Sequence, residues 1–462
     1  MLLLSVLLYL TLTVLIGYLA SRRVKNSGDF MLAGRSLPIF LSTAALFATW
    51  FGSETVFGAS SRFLDGGLYA VIEDPFGAAL CLLLFGLFYT RKLYEMNLLT
   101  LGDFFKVRFG KRTEFIAAIF LFPPYVGYIA AQLVAMGLVL NVVTGMEVVN
   151  GVLLSSVIVT FYTFIGGMWA ISLTDFIQGI LIVVGLVVLA AVLSDKAGGV
   201  GQVLSRIPPH EVRFLPDWNF FEIVAWIASW SVLGLGSIPS QDVFQRVMSS
   251  GSAKVAVRSS YYAAGLYLTV AMLPLYISLC TKQLYPGQLN GDLQLVLPNM
   301  VLQHTSLAVQ VLFFGSLLSA IMSTTSSAIL APAAIVSENI VRPFFHDRLQ
   351  DKHFLLITRI SVLVMSAAAT WMATRRGDIY ELVGESSIVS LVSLFVPLTL
   401  GLYWTKSTAT GAIASMFTGT LVWIATHFWD IGVPGFVPAT LVGLLVMVSV
   451  SLVERKPPVK GH

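Results

Sequence analysis

Gly234-Leu235-Gly236-Ser237-Ile238-Pro239-Ser240 interrupts an apolar run that otherwise reads as one membrane-crossing helix over 221–244. Glycine and proline at that depth free backbone amides and carbonyls, which hydrocarbon penalises unless they line a cavity or hold an ion. A second interruption, Gly52-Ser53-Glu54, falls in the middle of the run 37–58. The two breaks lie five runs apart, and an odd offset reverses direction through a bilayer. The stretches 37–194 and 221–403 are therefore expected to be inverted copies of each other, with broken helices in corresponding places. Packing glycines, frequent in membrane helices, explain either break alone. The pairing argues for a site between them.

The remaining sequence fits a membrane setting. Of 462 residues, 56% are hydrophobic and 11% charged, whereas a soluble domain carries about 25% charged residues. A span needs roughly 20 apolar residues. Such runs occur at about 2–20, 37–58, 68–89, 113–143, 149–165, 172–194, 221–244, 259–280, 307–337, 355–374, 380–403, 409–428 and 435–453. The expectation is an all-α polytopic membrane protein forming one domain over 1–462, with about thirteen transmembrane helices. One helix precedes the two repeats and two follow them. The first run lacks a basic stretch before it and a small-residue cleavage site after it, so it is expected to persist rather than act as a signal peptide.

Loop charges give the orientation. Arg22, Arg23, Lys25 and Arg35 follow the first run, and Arg91, Lys92, Lys106, Arg108, Lys111 and Arg112 the third. Arg246, Lys254 and Arg258 follow the seventh, and Arg342, Arg348 and Lys352 the ninth. The alternate loops are poorer in basic residues. The positive-inside rule then places the N-terminus outside and the tail with Arg455, Lys456 and Lys460 in the cytoplasm, across an inner (plasma) membrane. The net charge of +4 thus reports orientation and suggests no nucleic-acid partner. Cys81 and Cys280 lack metal-type spacing and read as buried packing residues.

The ninth run contains Ala320-Ile321-Met322-Ser323-Thr324-Thr325-Ser326-Ser327. Positions 320, 323, 324 and 327 share one helical face, with Ser326 at its margin. Sodium is a hard cation that takes several neutral or anionic oxygens, and hydroxyls plus freed carbonyls supply these without burying many charges. One or two serines would only glue helices together; five consecutive hydroxyls ask for more. Asp175, near the start of the sixth run, is a functional candidate because an acid at that depth is expensive, with a snorkelling interfacial acid as the alternative.

These features, with Gly34-Arg35-Ser36-Leu37, Tyr162-Thr163-Phe164-Ile165-Gly166-Gly167 and Gly401-Leu402-Tyr403-Trp404, make a chain that resembles the sodium:solute symporter family over almost its whole length. The resemblance implies the LeuT-type inverted-repeat fold and sodium-coupled symport by alternating access. It implies a principal sodium site made by carbonyls of Ala48, Phe51 and Ala320 and the hydroxyls of Ser323 and Thr324. It also implies a second sodium position at Asp175, Ser323, Ser326 and Ser327, hence two sodium ions per cycle.

In such a fold the solute lies between the broken helices and the spans beside them. The candidates there are Trp50, Thr55, Glu73, Tyr128, Gln132, Trp230, Ser240 and Glu385. Aromatic rings with a nearby acid, such as Glu73-Asp74-Pro75, suit an ammonium group. This favours a zwitterionic or cationic amine, such as an amino acid or a choline-like compound. Each acid alone also has a structural reading, and Trp230 alone reads as packing. Within the family the chain resembles the choline-transporter branch at Ala48-Thr49-Trp50, Phe244-Gln245-Arg246-Val247 and Ser249-Ser250. It departs at Ser240, where that branch has a tryptophan, and at Tyr128, where it has another. No arginine or lysine falls within the expected span interiors, so a solute carboxylate would rely on backbone amides or helix N-termini. That speaks against sialic-acid-like or dicarboxylate solutes.

Other classes fit less well. An enzyme would need a nucleophile elbow, a phosphate loop or paired histidines. Instead His210, His304, His346, His353, His427 and His462 lie mostly in loops and at span ends, without HExxH spacing. No nucleotide partner is expected. A nutrient sensor would need a separate signalling partner, since only nine residues follow Val453. A channel filter is usually built from repeated subunit loops, and paired breaks suit alternating access better. Proton coupling is the remaining alternative to sodium, and the complete hydroxyl set favours sodium.

Overall fold

In hydrocarbon a helix satisfies its own amides and carbonyls, so apolar runs of spanning length become helices. The computed structural model describes Leu8, Thr11, Leu15 and residues 27–345, 351–375, 377–429 and 432–454. The first half comprises α1 (Ile39–Phe47), α2 (Ala59–Gly66, entered through a π-turn at Glu54–Gly58), α3 (Leu68–Glu95), α4 (Lys111–Thr144) and α5 (Val148–Lys196). The second comprises α6 (Phe220–Gly236), α7 (Gln241–Met248), α8 (Ala253–Leu284), α9 (Leu307–Val341), α10 (Lys352–Ala373) and α11 (Ile379–Tyr403). Helices α12 (Ala409–Ala425) and α13 (Phe436–Val453) follow and pack on each other.

Among the described residues eight helices are long and apolar enough to cross a membrane, or nine when the bent pair α6–α7 is one span. The expected span 2–20 lies outside the described residues apart from Leu8, Thr11 and Leu15. So do Arg22, Arg23, Lys25, Arg348, Arg376, Arg455, Lys456 and Lys460, together with the side chains of Tyr162 and Ile165.

Both expected breaks are present. Helix α1 ends as Ala48 reaches ψ −3°, and helical bonding resumes in the π-turn at Glu54–Gly58. Helices α6 and α7 meet at a bend of 49° across Ser237–Ser240. Gly236 marks where α6 presses against α11: a Cβ there would meet the Ser387 carbonyl oxygen at 2.5 Å. Both second halves run further than expected, to Gly66 and Met248 rather than to 58 and 244. Runs 149–165 and 172–194, expected as separate helices, fall in the helical stretch Val148–Lys196 as two apolar segments, Val148–Phe161 and Ile171–Lys196. The two run in opposite directions beside α9 and α10: Ser156 meets Thr370 and the Phe164 ring faces Arg359, whereas Asp175, Gln178 and Lys196 meet Ser323, Ser319 and His304 in turn.

Helix α9 is the central rod, with every residue from Phe313 to Ile335 buried. Its hydroxyl stripe therefore faces protein, not lipid. Val157, Phe161, Leu363, Trp371 and Leu445 are exposed on the outer helices, as lipid-facing positions require. Cys81 and Cys280 are buried free thiols.

Polar ties hold the short helix Leu101–Phe109 to this bundle. The Arg108 guanidinium donates to the carbonyls of Gly401, Trp404 and Thr405 at 2.8–3.1 Å, capping the end of α11. Asn339, fully buried on α9, accepts from Thr100 Oγ1 at 2.6 Å and donates to Asp103 at 3.0 Å and Glu114 at 2.9 Å. Asn339→Ala leaves the Thr100 hydroxyl and Asp103 Oδ1 without this partner, at about 1–3 kcal/mol for each left unpaired, while Glu114 keeps Lys106 at 3.5 Å. The expected outcome is a lowered melting temperature in detergent; an unchanged one would show that this hub does not hold the short helix.

Candidate functional site

The chain between α1 and α2 lacks a regular helical ladder, and its Ala48 carbonyl meets α9. Thr324 Oγ1 donates to the Ala48 carbonyl at 2.9 Å, so two of the five expected sodium ligands are in direct contact. Ala320 and Ser323, on the same face of α9, are buried beside them. Phe51, whose carbonyl was the remaining expected ligand, keeps its ring stacked on Phe47 with centroids 4.7 Å apart. A Cβ on Gly52 would sit 3.6 Å from both Gln132 Oε1 and Thr324 Oγ1, so the three converge at the break. The Gln132 amide is fully buried and has no hydrogen-bond partner among the described residues at either end. An orphaned amide beside converging oxygens fits a site that an ion or its ligand completes. The residues present thus suit sodium.

The second expected position is different. Ser323 Oγ donates to Asp175 Oδ1, bringing two of its four members together. Ser326 and Ser327 turn their hydroxyls back onto the carbonyls of Ser323 and Thr324, at 2.8 and 2.9 Å. Arg246 reaches the same place: its guanidinium lies 3.5 Å from Asp175 Oδ2 and donates to Ser327 Oγ at 2.8 Å. Arg246 was read as a loop charge, yet it is only 1% exposed. The correction follows from the extra turn of α7, which carries the arginine inward past residue 244. A buried carboxylate needs a counter-charge, and the protein supplies one.

The broken helices also enclose a cavity of 40 Å³. Of the expected solute residues, Trp50, Tyr128 and Ser240 line it. The Tyr128 hydroxyl donates to the Thr49 carbonyl at 2.6 Å, fixing the broken strand against α4. The other expected residues lie elsewhere. Thr55 bonds to Tyr267 at 2.7 Å, and Tyr267 donates to Asp74 at 2.6 Å. Glu73 lies against Gly384, where a Cβ would meet its Oε2 at 3.3 Å. Gln132 faces the ion side. Trp230 packs among Phe76, Phe214 and Trp226, and Glu385 is half-buried beyond the cavity lining.

The cavity wall adds residues that sequence reading missed. Tyr125 donates to Asp242 Oδ1 at 3.0 Å, and both line the cavity with Ser237, Ser386, Ser387 and Ser390. Two signals were available. Tyr125 and Tyr128 are three apart on one helix, hence on one face. Asp242 directly follows a membrane helix break, where an acid is costly without a partner.

Similarity to known proteins agrees with this architecture. The human high affinity choline transporter 1 is 28% identical over 440 residues, covering 90% of this chain and 75% of the relative. The osmoregulated proline transporter OpuE of Bacillus subtilis is 25% identical over 477 residues, covering 97% and 94%. Among solved structures, a substrate-bound, outward-open Na+-coupled sialic acid symporter matches with a TM-score of 0.84 at 19% identity, over 98% of this chain and 97% of that one. Mhp1, a nucleobase-cation-symport-1 family transporter, matches at 0.60 and 16% identity, over 92% and 94%. These likenesses show the fold. The sequence profile of the sodium:solute symporter family matches residues 30–419, and the chain belongs to that family of membrane transporters, a sodium-coupled symporter of a small solute and not an enzyme.

Proposed function

We propose that the protein imports a small amine-bearing solute, zwitterionic or cationic, by coupling it to sodium influx through alternating access. The observation that carries the sodium part is the 2.9 Å contact of Thr324 Oγ1 with the Ala48 carbonyl. Sodium would be held there by Ala48, Phe51, Ala320, Ser323 and Thr324. The ion joins the broken helix to α9, and by linkage each ligand raises the affinity of the other. The two halves, 37–194 and 221–403, serve as the inverted repeats that rock against each other.

The amine part is supported by the aromatic wall of Trp50, Tyr125 and Tyr128. The relatives point the same way, one named for choline and one for proline. Orientation in the plasma membrane follows the basic loops, with the N-terminus outside. Removing Arg246 from that tally leaves Lys254 and Arg258, both exposed, on the cytoplasmic side.

The stoichiometry proposed from the geometry is one sodium per solute, against the two that the family resemblance implies. Arg246 already supplies the cation that Asp175 requires. A second ion would have to displace a guanidinium from a buried pair, at a cost of several kcal/mol.

Two measurements in proteoliposomes test this. Ser323→Ala should raise the sodium concentration for half-maximal uptake several-fold, and an unchanged sodium curve would remove the five-oxygen site. Parallel fluxes of radioactive sodium and labelled solute should give a ratio of one. A ratio of two would return Asp175 and its serines to the role of an ion site.

A further inference from the structure

We propose that Asp242 is the anionic pole of the solute cavity and selects an ammonium group bearing N–H, a primary or secondary amine, over a quaternary one. The proposal rests on the amine-symport reading and deepens it.

Asp242 is the charged side chain among the residues lining the cavity, and it is 3% exposed. Its Oδ1 accepts from the Tyr125 hydroxyl and the Val243 amide, both at 3.0 Å. Its Oδ2 accepts no hydrogen bond among the described residues. No arginine, lysine or histidine among the described residues lies within ion-pair distance of it. Arg246, one turn further along α7, is taken by Asp175 and Ser327. Asp242 is thus a buried carboxylate, partly satisfied and without a cation, whose residue faces the cavity. Burial of such a charge is costly unless a cation completes it. The N-terminus of α7 offers partial compensation, and its bond to Asp242 uses Oδ1, not Oδ2.

The surrounding chemistry selects the kind of cation. A quaternary ammonium has no N–H to donate and is best enclosed by aromatic faces. Here Ser240 places a hydroxyl on the wall, and Ser237 and Ser387, hydrogen-bonded at 3.1 Å, place two more. Carboxylate and hydroxyl oxygens reward a donor, since charge-assisted N–H···O bonds are roughly twice as strong as neutral ones. They give a methylated nitrogen nothing in return. Trp50, Tyr125 and Tyr128 then pack the carbon skeleton and face of the cation.

The test uses the full chain in proteoliposomes with a sodium gradient and two series of labelled compounds. These are glycine, sarcosine and glycine betaine, and ethanolamine and choline. The N–H-bearing members should be taken up with a KM at least about tenfold below their quaternary counterparts. Asp242→Asn, which retains an acceptor for Tyr125 and Val243, should raise the amine KM about tenfold or more and erase the difference. It should leave the melting temperature and its sodium dependence unchanged, and Asp242→Glu should restore part of the preference. An amine KM unmoved by Asp242→Asn, or a wild-type preference for the quaternary compounds, overturns the proposal while sparing amine symport. Sodium-driven uptake of a sugar or dicarboxylate, with none of the amines, overturns both.

Discussion

The hydroxyl of Thr324 on the carbonyl of Ala48 is the contact on which the rest of the architecture depends. It joins an irregular stretch of backbone to a straight, fully buried helix at a depth where water is scarce. A hydrogen bond of this kind adds only about 0.5–1.5 kcal/mol in net terms. Its weight comes from the alternative, because an unsatisfied carbonyl in hydrocarbon costs several times that. The break in α1–α2 is therefore tolerable only while α9 stands beside it. The same logic holds at the other break, where the backbones of α6 and α11 close to a distance that admits only glycine at 236. Two weak points in the chain become the two walls of one cavity because each needs a neighbour to satisfy it.

Buried charge imposes the second constraint. Asp175 and Arg246 are each almost completely enclosed, and removing either from such a pair typically costs about 3–5 kcal/mol. The pair links α5, α7 and α9, so the helix after the second break is tethered to the rod that closes the first. Polar contacts thus connect both broken helices to one face of α9, through Thr324 and through Ser327.

Much of this was legible in the sequence, for reasons tied to particular residues. Gly52, Gly234, Gly236 and Pro239 disclose the breaks because lipid leaves such residues few other uses. The run 323–327 discloses its own face because helical periodicity puts hydroxyls three and four residues apart together. Arg246 was misplaced because hydropathy counts a charge as the end of a span, and nothing local shows that α7 carries it two residues further inward to meet Asp175. Asp242 escaped for a related reason: Glu73 and Asp74 form the louder acidic pair. The partner of Asp74 is Tyr267, 193 residues along the chain, which no spacing rule connects to it.

Ion and solute must influence each other for symport to occur, and the residues of the first break offer the shortest route. Ala48 presents its carbonyl to Thr324 on the ion side. Thr49, the next residue, presents its carbonyl to Tyr128, which lines the solute cavity. Trp50 then forms part of the cavity wall itself, and Phe51 was read as the source of the next sodium oxygen. Of these four consecutive residues the outer two are assigned to the ion and the inner two serve the cavity. Such a strand cannot shift toward α9 to close around an ion without moving Trp50 and releasing or tightening Tyr128. No long pathway through the bundle is needed, because the element proposed to hold sodium also shapes the cavity. Reciprocity follows directly: a solute that fixes Trp50 and Tyr128 also fixes the Ala48 carbonyl, and so removes part of the ordering cost that sodium would otherwise bear.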